Sequence, residues 1–315
     1  MKRQHLRLSL ALLVTLSPAM TSAQIPVAQN LAERLGYSKD AKLLIIHADD
    51  VAETHAVNAA TFQALESGAV NSASIMVPCP WFPEAADYAK SHSDTDFGLH
   101  LTVTSERVYY RWGPVAGPDK VPSLVDSNGY FHHDWDHHPR IEPRDVETEL
   151  RAQIERALAM GVRPTHFDSH QYRLFENGKE IFQVLLRLSH EYGVPIFVTR
   201  DWFAEHPYLE SSLAPRDLVL DHTVTIGPDV PAENWADFYR DALKNLQPGV
   251  TEFVIHVGLD GEELRAFSRE RPTWGAAWRQ RDFDFFMSRE FRSLLEEHHV
   301  KLITWRELAK ALANR

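Results

Sequence analysis

Short apolar runs alternate with segments of helical periodicity along most of the chain, and this alternation limits the possible folds more than any other feature. Strands are predicted at residues 42–47, 72–77, 97–103, 165–169, 195–199, 251–256 and 300–303. Helices are predicted at residues 57–66, 82–90, 144–160, 180–192, 234–246, 283–297 and 305–313. Such an alternation is typical of βα units around a mostly parallel sheet. About seven strands suit a complete or slightly incomplete α/β barrel better than an open sheet.

The first residues predict a targeting signal that takes no part in the fold. Three cations, Lys2, Arg3 and Arg7, precede a mainly apolar stretch at 8–20, and small residues follow at 21–23. This order is typical of a cleaved secretory signal peptide, and the apolar stretch is short for a membrane span. An uncleaved anchor is the alternative. We therefore expect export to the periplasm or the exterior of a bacterium, with residues 24–315 forming a single domain.

The charge and the cysteine content exclude several classes of protein. The formal net charge is −11, so a chain this acidic is a poor partner for nucleic acid or an anionic membrane. After signal cleavage we expect no stable membrane insertion. Cys79 is the only cysteine, so an internal disulfide is impossible, and we expect this thiol to be packed in the core.

Polar residues with metal-ligand chemistry lie at or near the ends of four of the predicted strands. They are Asp49 and Asp50, His100, Asp168 with His170, and His256. In α/β barrels the active site is built at the carboxyl ends of the strands, so these side chains are expected to converge on one pocket. A single histidine at a strand end is more often structural, but four such positions together favour a site.

Two histidines and one carboxylate form a metal site that keeps positions open for water or substrate. Asp50, His100 and His170 are predicted to bind one divalent metal, with zinc or magnesium as the expected ions. Asp49 is the candidate general base, provided that the chain turns after the strand, because neighbouring strand residues point to opposite faces. The alternative for the acidic pair is an N-cap of the next helix.

Two further residues are candidates for proton transfer and ligand orientation. His256 is the candidate general acid, since histidine titrates near neutrality; a structural histidine is the alternative. Asp168 is expected to orient a ligand histidine, or else to cap a turn.

A long irregular stretch at about 105–143 is predicted to be a lid or a substrate wall. It carries an aromatic group that could stack on sugar rings or pack locally: Tyr109, Tyr110, Trp112, Tyr130, Phe131 and Trp135. It also carries His132, His133, His137 and His138, for which a solvated loop is favoured over a second metal site. Trp274 and Trp278 leave the same choice between stacking and packing, and His55 is expected to lie on a helix face.

Several motifs in order give a specific resemblance. HADDVAETHAVNAATFQALESGAVNSASIMVPCPWFPEA, DFGLHLTVTSE, VPSLVDSNGYF, THFDSHQ, EFVIHVG and KLITWREL resemble the YdjC-like carbohydrate deacetylases, which include chitooligosaccharide deacetylases. The resemblance runs from about residue 42 to residue 308. It implies an irregular TIM-like (β/α) barrel, Asp49 as the catalytic base, metal binding by Asp50, His100 and His170, and His256 as the acid.

The sequence departs from that family at three places. Val51 and Ala52 stand where the family usually has Phe-Gly, which changes the turn beside the metal. Tyr172 stands where a second histidine is common, so a contact to the substrate differs. Val257 stands where proline usually follows the late histidine.

The predicted activity is hydrolysis of the acetyl group from N-acetylated mono- or oligosaccharides by attack of metal-bound water. Two alternatives stay open: a metal-dependent deacylase that acts on a non-sugar amide or ester, and a non-catalytic sugar-binding barrel. The sequence does not indicate the oligomeric state.

Overall fold

The computed structural model describes residues 30–135 and 141–313. The predicted signal peptide and two histidines of the long loop, His137 and His138, lie outside these residues. The seven strands of the sheet are β1 (Lys42–Val51), β2 (Ser72–Ile75), β3 (Phe97–Leu101), β4 (Phe167–Ser169), β5 (His222–Thr225), β6 (Gly249–Ile255) and β7 (Val300–Leu302).

Helices connect and cover these strands. They are α1 (Leu31–Arg34), α2 (His55–Glu66), α3 (Phe82–Ser91), α4 (Pro143–Ala159), α5 (Arg173–Glu176), α6 (Lys179–Tyr192), α7 (Pro207–Ser212), α8 (Trp235–Lys244), α9 (Glu262–Ser268), α10 (Ala276–Met287), α11 (Arg289–Glu297) and α12 (Trp305–Ala313). No helix within the described part of the chain is long and apolar enough to cross a membrane.

The strands are parallel and follow the order β4-β3-β2-β1-β6-β5, with β7 paired to the beginning of β1. Residues 195–200 join the two ends of this order. Phe197 N–H donates to Phe167 O over 2.8 Å, and Leu220 N–H donates to Val198 O over 2.9 Å. The backbone hydrogen bonds therefore run round the whole sheet, which confirms the irregular TIM-like barrel.

Most predicted elements are present, and the exceptions have local causes. The predicted strand at 195–199 forms only isolated bridges, to Phe167 and to Leu220. The short strand β5 was not predicted, because its four residues, HTVT, are only half-buried and include a single apolar side chain. The predicted helix at 283–297 is wrong as a single element. It is divided at Ser288, whose extended backbone ends α10 and whose Oγ accepts from Phe291 N–H at the start of α11.

The central strand β1 faces two different cores. Leu44 and Ile46 belong to the large apolar cluster, whereas Leu43 and Ile45 belong to a smaller cluster that includes Leu220, Val250 and Trp305. Because side chains alternate along a strand, His47 and Asp49 share the face of Leu43 and Ile45. The inner face of β1 thus changes from apolar to polar toward its carboxyl end.

An irregularity at the end of β1 brings both acidic side chains to one side. The register with β2 shifts between Ala48 and Val51, and Asp50 has a φ of 66°. The turn that Asp49 and Asp50 need in order to reach one pocket is therefore present. The alternative role as an N-cap is wrong, because Thr54 caps α2 through its Oγ1, which accepts from Val57 N–H.

Ala52, the residue that stands where the family usually has glycine, has a φ of 87° and is fully buried. A side chain with a Cβ is strained in this region of backbone conformation, by about 1–2 kcal/mol. The position is held by hydrogen bonds, since Ala52 N–H donates to Asn58 Oδ1 over 2.7 Å and its carbonyl accepts from Trp81 N–H. These two hydrogen bonds therefore keep the backbone of Ala52 in its strained conformation in the folded protein.

We expect Ala52→Gly to raise the free energy of unfolding by about 1 kcal/mol, because glycine adopts this φ without a clash. Chemical denaturation of the metal-free protein would measure it at an unchanged m-value. Ala60→Gly, in the middle of α2, is the matched control and should lower the same free energy by about 1 kcal/mol. Equal destabilisation by both substitutions would contradict the strain at Ala52.

Candidate active site

A cavity of about 300 Å³ opens at the carboxyl ends of the strands. Six of the residues predicted from the sequence lie in its wall: Asp49, Asp50, His100, His170, Tyr172 and His256. Asp168, the seventh, is buried directly behind His100. The fold therefore brings all seven candidates to one place, as expected for a barrel.

Asp50, His100 and His170 form a compact group that could hold one metal ion. Asp50 Oδ1 lies 3.4 Å from His100 Nε2 and 3.2 Å from His170 Nδ1. All three side chains are buried, and Asp50 Oδ1 has no hydrogen-bond partner. A buried carboxylate oxygen without a donor is costly unless a cation binds it. The residues present thus fit a divalent metal.

Carboxylates hold the other nitrogen of each ligand histidine. His100 Nδ1 lies 2.7 Å from Asp168 Oδ1, and His170 Nε2 lies 3.0 Å from Glu106 Oε2. Such partners fix the ring orientation and the tautomer, and they increase the basicity of the ligating nitrogen. Both rings are therefore turned so that the free nitrogen faces Asp50.

Glu106 was not recognised from the sequence as part of the site. It follows β3 in the DFGLHLTVTSE segment, within the beginning of the long irregular stretch. Burial would raise the pKa of its carboxyl, but His170 and Arg107 outweigh burial and lower the pKa to about 2. Glu106 thus stays charged and paired with His170.

Protons and a metal compete for the two histidines. Burial opposes protonation of His170, but the charges of Glu106 and Asp50 raise its pKa to about 9. The pKa of His100 is also raised, against burial, by Asp168 and Asp49. A metal ion that binds to Asp50, His100 and His170 must displace these protons. The affinity for the metal therefore increases as the pH rises toward about 9, the pKa of His170.

Arg279 holds the second oxygen of Asp50. Its Nη2 donates to Asp50 Oδ2 over 2.6 Å and to Glu53 Oε2 over 2.8 Å. Burial would raise the pKa of Asp50, but Arg279 and the two histidines lower it well below its usual value. Arg279 lies on α10, 229 residues from Asp50, and no spacing pattern in the sequence connects the two.

Asp49 has one oxygen directed into the barrel and the other toward the cavity. Oδ1 lies 3.1 Å from His47 Nε2 and 3.3 Å from Ser74 Oγ. Oδ2 lies 3.9 Å from His256 Nε2. Asp49 is therefore placed beside the candidate metal ligands without being one of the three.

His256 follows the last residue of β6 and contacts both acidic residues at longer range. Its backbone N–H donates to Asp282 Oδ2 over 2.9 Å, and its Nε2 lies 3.7 Å from Asp50 Oδ2. Burial lowers the pKa of His256 to about 4, although Asp50 and Asp49 oppose this shift. The imidazole is thus neutral at pH 7 before any substrate binds.

Tyr172 has a left-handed backbone, with a φ of 55°, as does Gln171. Its hydroxyl lies 3.4 Å from Thr225 Oγ1, and its ring packs against Trp202. The side chain lies in the cavity wall.

The aromatic residues divide into packing and wall residues. Trp112, Phe131 and Trp135 of the long stretch are buried, whereas Tyr109 and Tyr130 are exposed and none of these five lies in the cavity wall. Tyr110 packs edge-to-face on Phe267. Trp274 lies in the wall, whereas Trp278 packs against Trp235. The long stretch contributes to the cavity through Glu106 and Arg107 instead.

The remaining candidates lie apart from the site. His55 pairs with Glu84 on the surface, and Cys79 is a buried free thiol, as predicted. Among the described residues, neither His132 nor His133 belongs to a group of three side chains that could bind a metal.

We expect Glu106→Gln to weaken metal binding by about 10- to 100-fold, because a neutral partner holds His170 less firmly and lowers its basicity. Competition with a chromophoric zinc chelator would measure the dissociation constant. Asp217→Asn changes the same kind of pair, with His190 outside the cavity, and should leave zinc affinity unchanged. Equal affinities for the two variants would show that Glu106 does not support the site.

Similar proteins are known over most of the length of this chain. Residues 43–297 match the family described as YdjC-like protein. A carbohydrate deacetylase of Thermus thermophilus is 32% identical over 292 residues, which cover 90% of this chain and 99% of the relative. A carbohydrate deacetylase of Brevibacillus brevis is 27% identical over 274 residues, which cover 84% of this chain and 99% of that relative.

A solved structure has a similar fold over most of the length of this chain. A protein of Enterococcus faecalis V583, for which cellobiose-phosphate cleavage has been suggested, has a TM-score of 0.71 and 26% identity. The alignment covers 85% of this chain and 99% of that protein. Since the family match spans most of the sequence, the chain belongs to the YdjC-like protein family.

Proposed function

We propose that the chain is a metal-dependent hydrolase that removes acetyl groups from N-acetylated mono- or oligosaccharides. The observation that carries this proposal is the buried Oδ1 of Asp50, which accepts no hydrogen bond although it lies between the ligand nitrogens of His100 and His170, with Asp49 beside them. The relatives named carbohydrate deacetylases support the choice of reaction and substrate.

Asp50, His100 and His170 would hold one divalent metal. When bound, it supplies a Lewis acid that polarises the acetyl carbonyl and lowers the pKa of a nearby water. Of the two expected ions, zinc suits a donor set with two imidazole nitrogens better than magnesium, which prefers oxygen ligands.

Asp49 acts as the general base in this proposal. Its Oδ2 faces the cavity, and Oδ1 is held from behind by His47 and Ser74. Asp49 takes one proton from the attacking water as the water oxygen bonds to the acetyl carbon. Because its hydrogen-bonded oxygen faces inward, the side chain can accept this proton with little rearrangement.

His256 completes the proton transfer to the sugar nitrogen. It begins neutral, in keeping with its lowered pKa, and lies 3.9 Å from Asp49 Oδ2. We propose that it receives the proton that Asp49 removed and passes it to the nitrogen as the C–N bond breaks. The products are acetate and an amino sugar whose amine takes up the second proton of the water, and both side chains return to their initial charge.

The cavity wall suits one sugar residue. Trp274 and Tyr172 line the cavity, and aromatic faces stack well on the apolar faces of sugars. The volume of about 300 Å³ lies at the small end of ligand sites, which favours a mono- or short oligosaccharide with one unit inside.

Export belongs to the proposal as well. The predicted signal peptide would deliver the chain to the periplasm or the exterior, where an acetylated sugar from the cell envelope would be the natural substrate.

We expect purified protein to release acetate from at least one N-acetylated sugar when loaded with zinc, and to lose this activity with a chelator, because the metal polarises the scissile carbonyl. A panel of N-acetylated sugars and simple acyl amides and esters would measure it, with magnesium, nickel and cobalt as alternative ions. Release from the simple amides or esters alone would favour a non-sugar deacylase. Tight sugar binding without release would favour the non-catalytic barrel.

We expect Asp49→Asn to lower kcat by about 100- to 10,000-fold while zinc stays bound at one ion per chain, because the base is lost but the ligands remain. Steady-state acetate release and metal analysis of the same sample would show both effects. Asp217→Asn, at the Asp217–His190 pair outside the cavity, is the matched control and should retain kcat. An Asp49→Asn protein with near-normal turnover would exclude Asp49 as the base.

A further inference from the structure

His47 lies two residues before Asp49 on the inner face of β1 and is fully buried. A buried imidazole needs a hydrogen-bond partner at each of its two ring nitrogens. The proposed reaction assigns His47 no step, although its ring lies between the two carboxylates that flank the candidate metal site.

The contacts of His47 account for both ring nitrogens. Nδ1 lies 2.9 Å from Ser72 Oγ. Nε2 lies 3.0 Å from Ser74 Oγ, 3.0 Å from Asp168 Oδ2 and 3.1 Å from Asp49 Oδ1. Carboxylates only accept hydrogen bonds, so Nε2 must carry a hydrogen, which it donates to Asp168 Oδ2, while Asp49 Oδ1 lies within ion-pair distance of the same nitrogen.

This donor decides which oxygen of Asp49 faces the substrate. With Oδ1 held by His47 and Ser74, the oxygen left toward the cavity is Oδ2, the one nearest His256 Nε2. Without the donor, Asp49 Oδ1 and Asp168 Oδ2 would be two buried carboxylate oxygens with one hydrogen-bond donor fewer between them, and Asp49 would be free to rotate away.

We propose that His47 is a positioning residue that fixes Asp49 with Oδ2 turned to the cavity and links this base to Asp168, the carboxylate that orients His100. The inference rests on the proposed function, because it assigns Asp49 the role of base. Misplacement of a catalytic group by about 1 Å is enough to cost about 100-fold in rate.

His166 provides a comparison within the same core. Its ring lies 4.9 Å from that of His47 and stacks on Trp305. The edge of the ring abuts Gly98, where an added Cβ would lie 2.4 Å from Nε2. His47, His166 and Asp168 come close enough to hold a metal ion, but Nε2 of His166 packs on Gly98 and is buried without a hydrogen-bond partner. His166 therefore packs in the core and contacts neither Asp49 nor the cavity wall.

The test uses the zinc-loaded full chain and measures kcat, KM and bound zinc for three variants. His47→Leu removes the donor, and we expect kcat to fall about 100-fold with KM and zinc content within about twofold of the unaltered chain. His47→Gln returns an N–H donor at a similar reach, and kcat should recover to within about tenfold. His166→Leu makes the same change one ring away and should keep kcat within about threefold.

Each outcome either supports or overturns the proposed role of His47. Equal losses of kcat for His47→Leu and His166→Leu, or a loss that follows the zinc content, would show a structural role and overturn it. If His47→Leu does not fold, the Gln variant decides, and a 100-fold loss of kcat with zinc bound would refute the role of the donor. If the unaltered chain releases no acetate, the proposed function itself has failed; if it does and the variants behave otherwise, only the inference fails.

Discussion

The site depends on one break in the regularity of β1. In a regular strand Asp49 and Asp50 would point to opposite faces, one into the barrel and one under the helices. The register shift and the left-handed backbone at Asp50 bring both to the cavity. The strained conformation of Ala52 continues this turn, so the chain maintains it at a cost in stability. Strain kept beside a candidate site is consistent with a functional requirement for that turn.

The burial of so many charged side chains is tolerated because nearly every one pairs with a side chain of opposite charge. Asp50 has Arg279, His100 has Asp168, and His170 has Glu106. Removing one partner from such a pair costs more than the pair contributes, since the remaining charge stays buried. In the described cavity wall, Asp50 Oδ1 is a buried carboxylate oxygen that accepts no hydrogen bond, and a metal ion between it and the two histidines would bind it.

The sequence predicted the parts of the site that depend on strand ends and not those that depend on packing. Asp49, Asp50, His100, Asp168, His170 and His256 all follow or end strands, and any barrel gathers such positions at one end. The sequence did not assign Arg279 and His47 to the site, for different reasons. Arg279 reaches the site from a helix whose rotation depends on side-chain packing, and His47 belongs to a run that looks like plain buried strand. The same limit explains β5, whose pairing with β6 is set by its neighbours and not by its own residues.

The inner face of the barrel shows how one strand serves both stability and chemistry. At its beginning β1 presents Leu43 and Ile45 to an apolar cluster, and at its end it presents His47 and Asp49 to the site. Glu252 on β6 lies at the height of Ile45, and its Oε2 accepts a hydrogen bond from Trp305 Nε1. Polar groups therefore begin already at the height of Ile45, beside the buried apolar side chains of the smaller cluster. In such surroundings hydrogen bonds to carboxylates are stronger than in water, so a few buried donors are enough to hold a base and its neighbours in fixed positions.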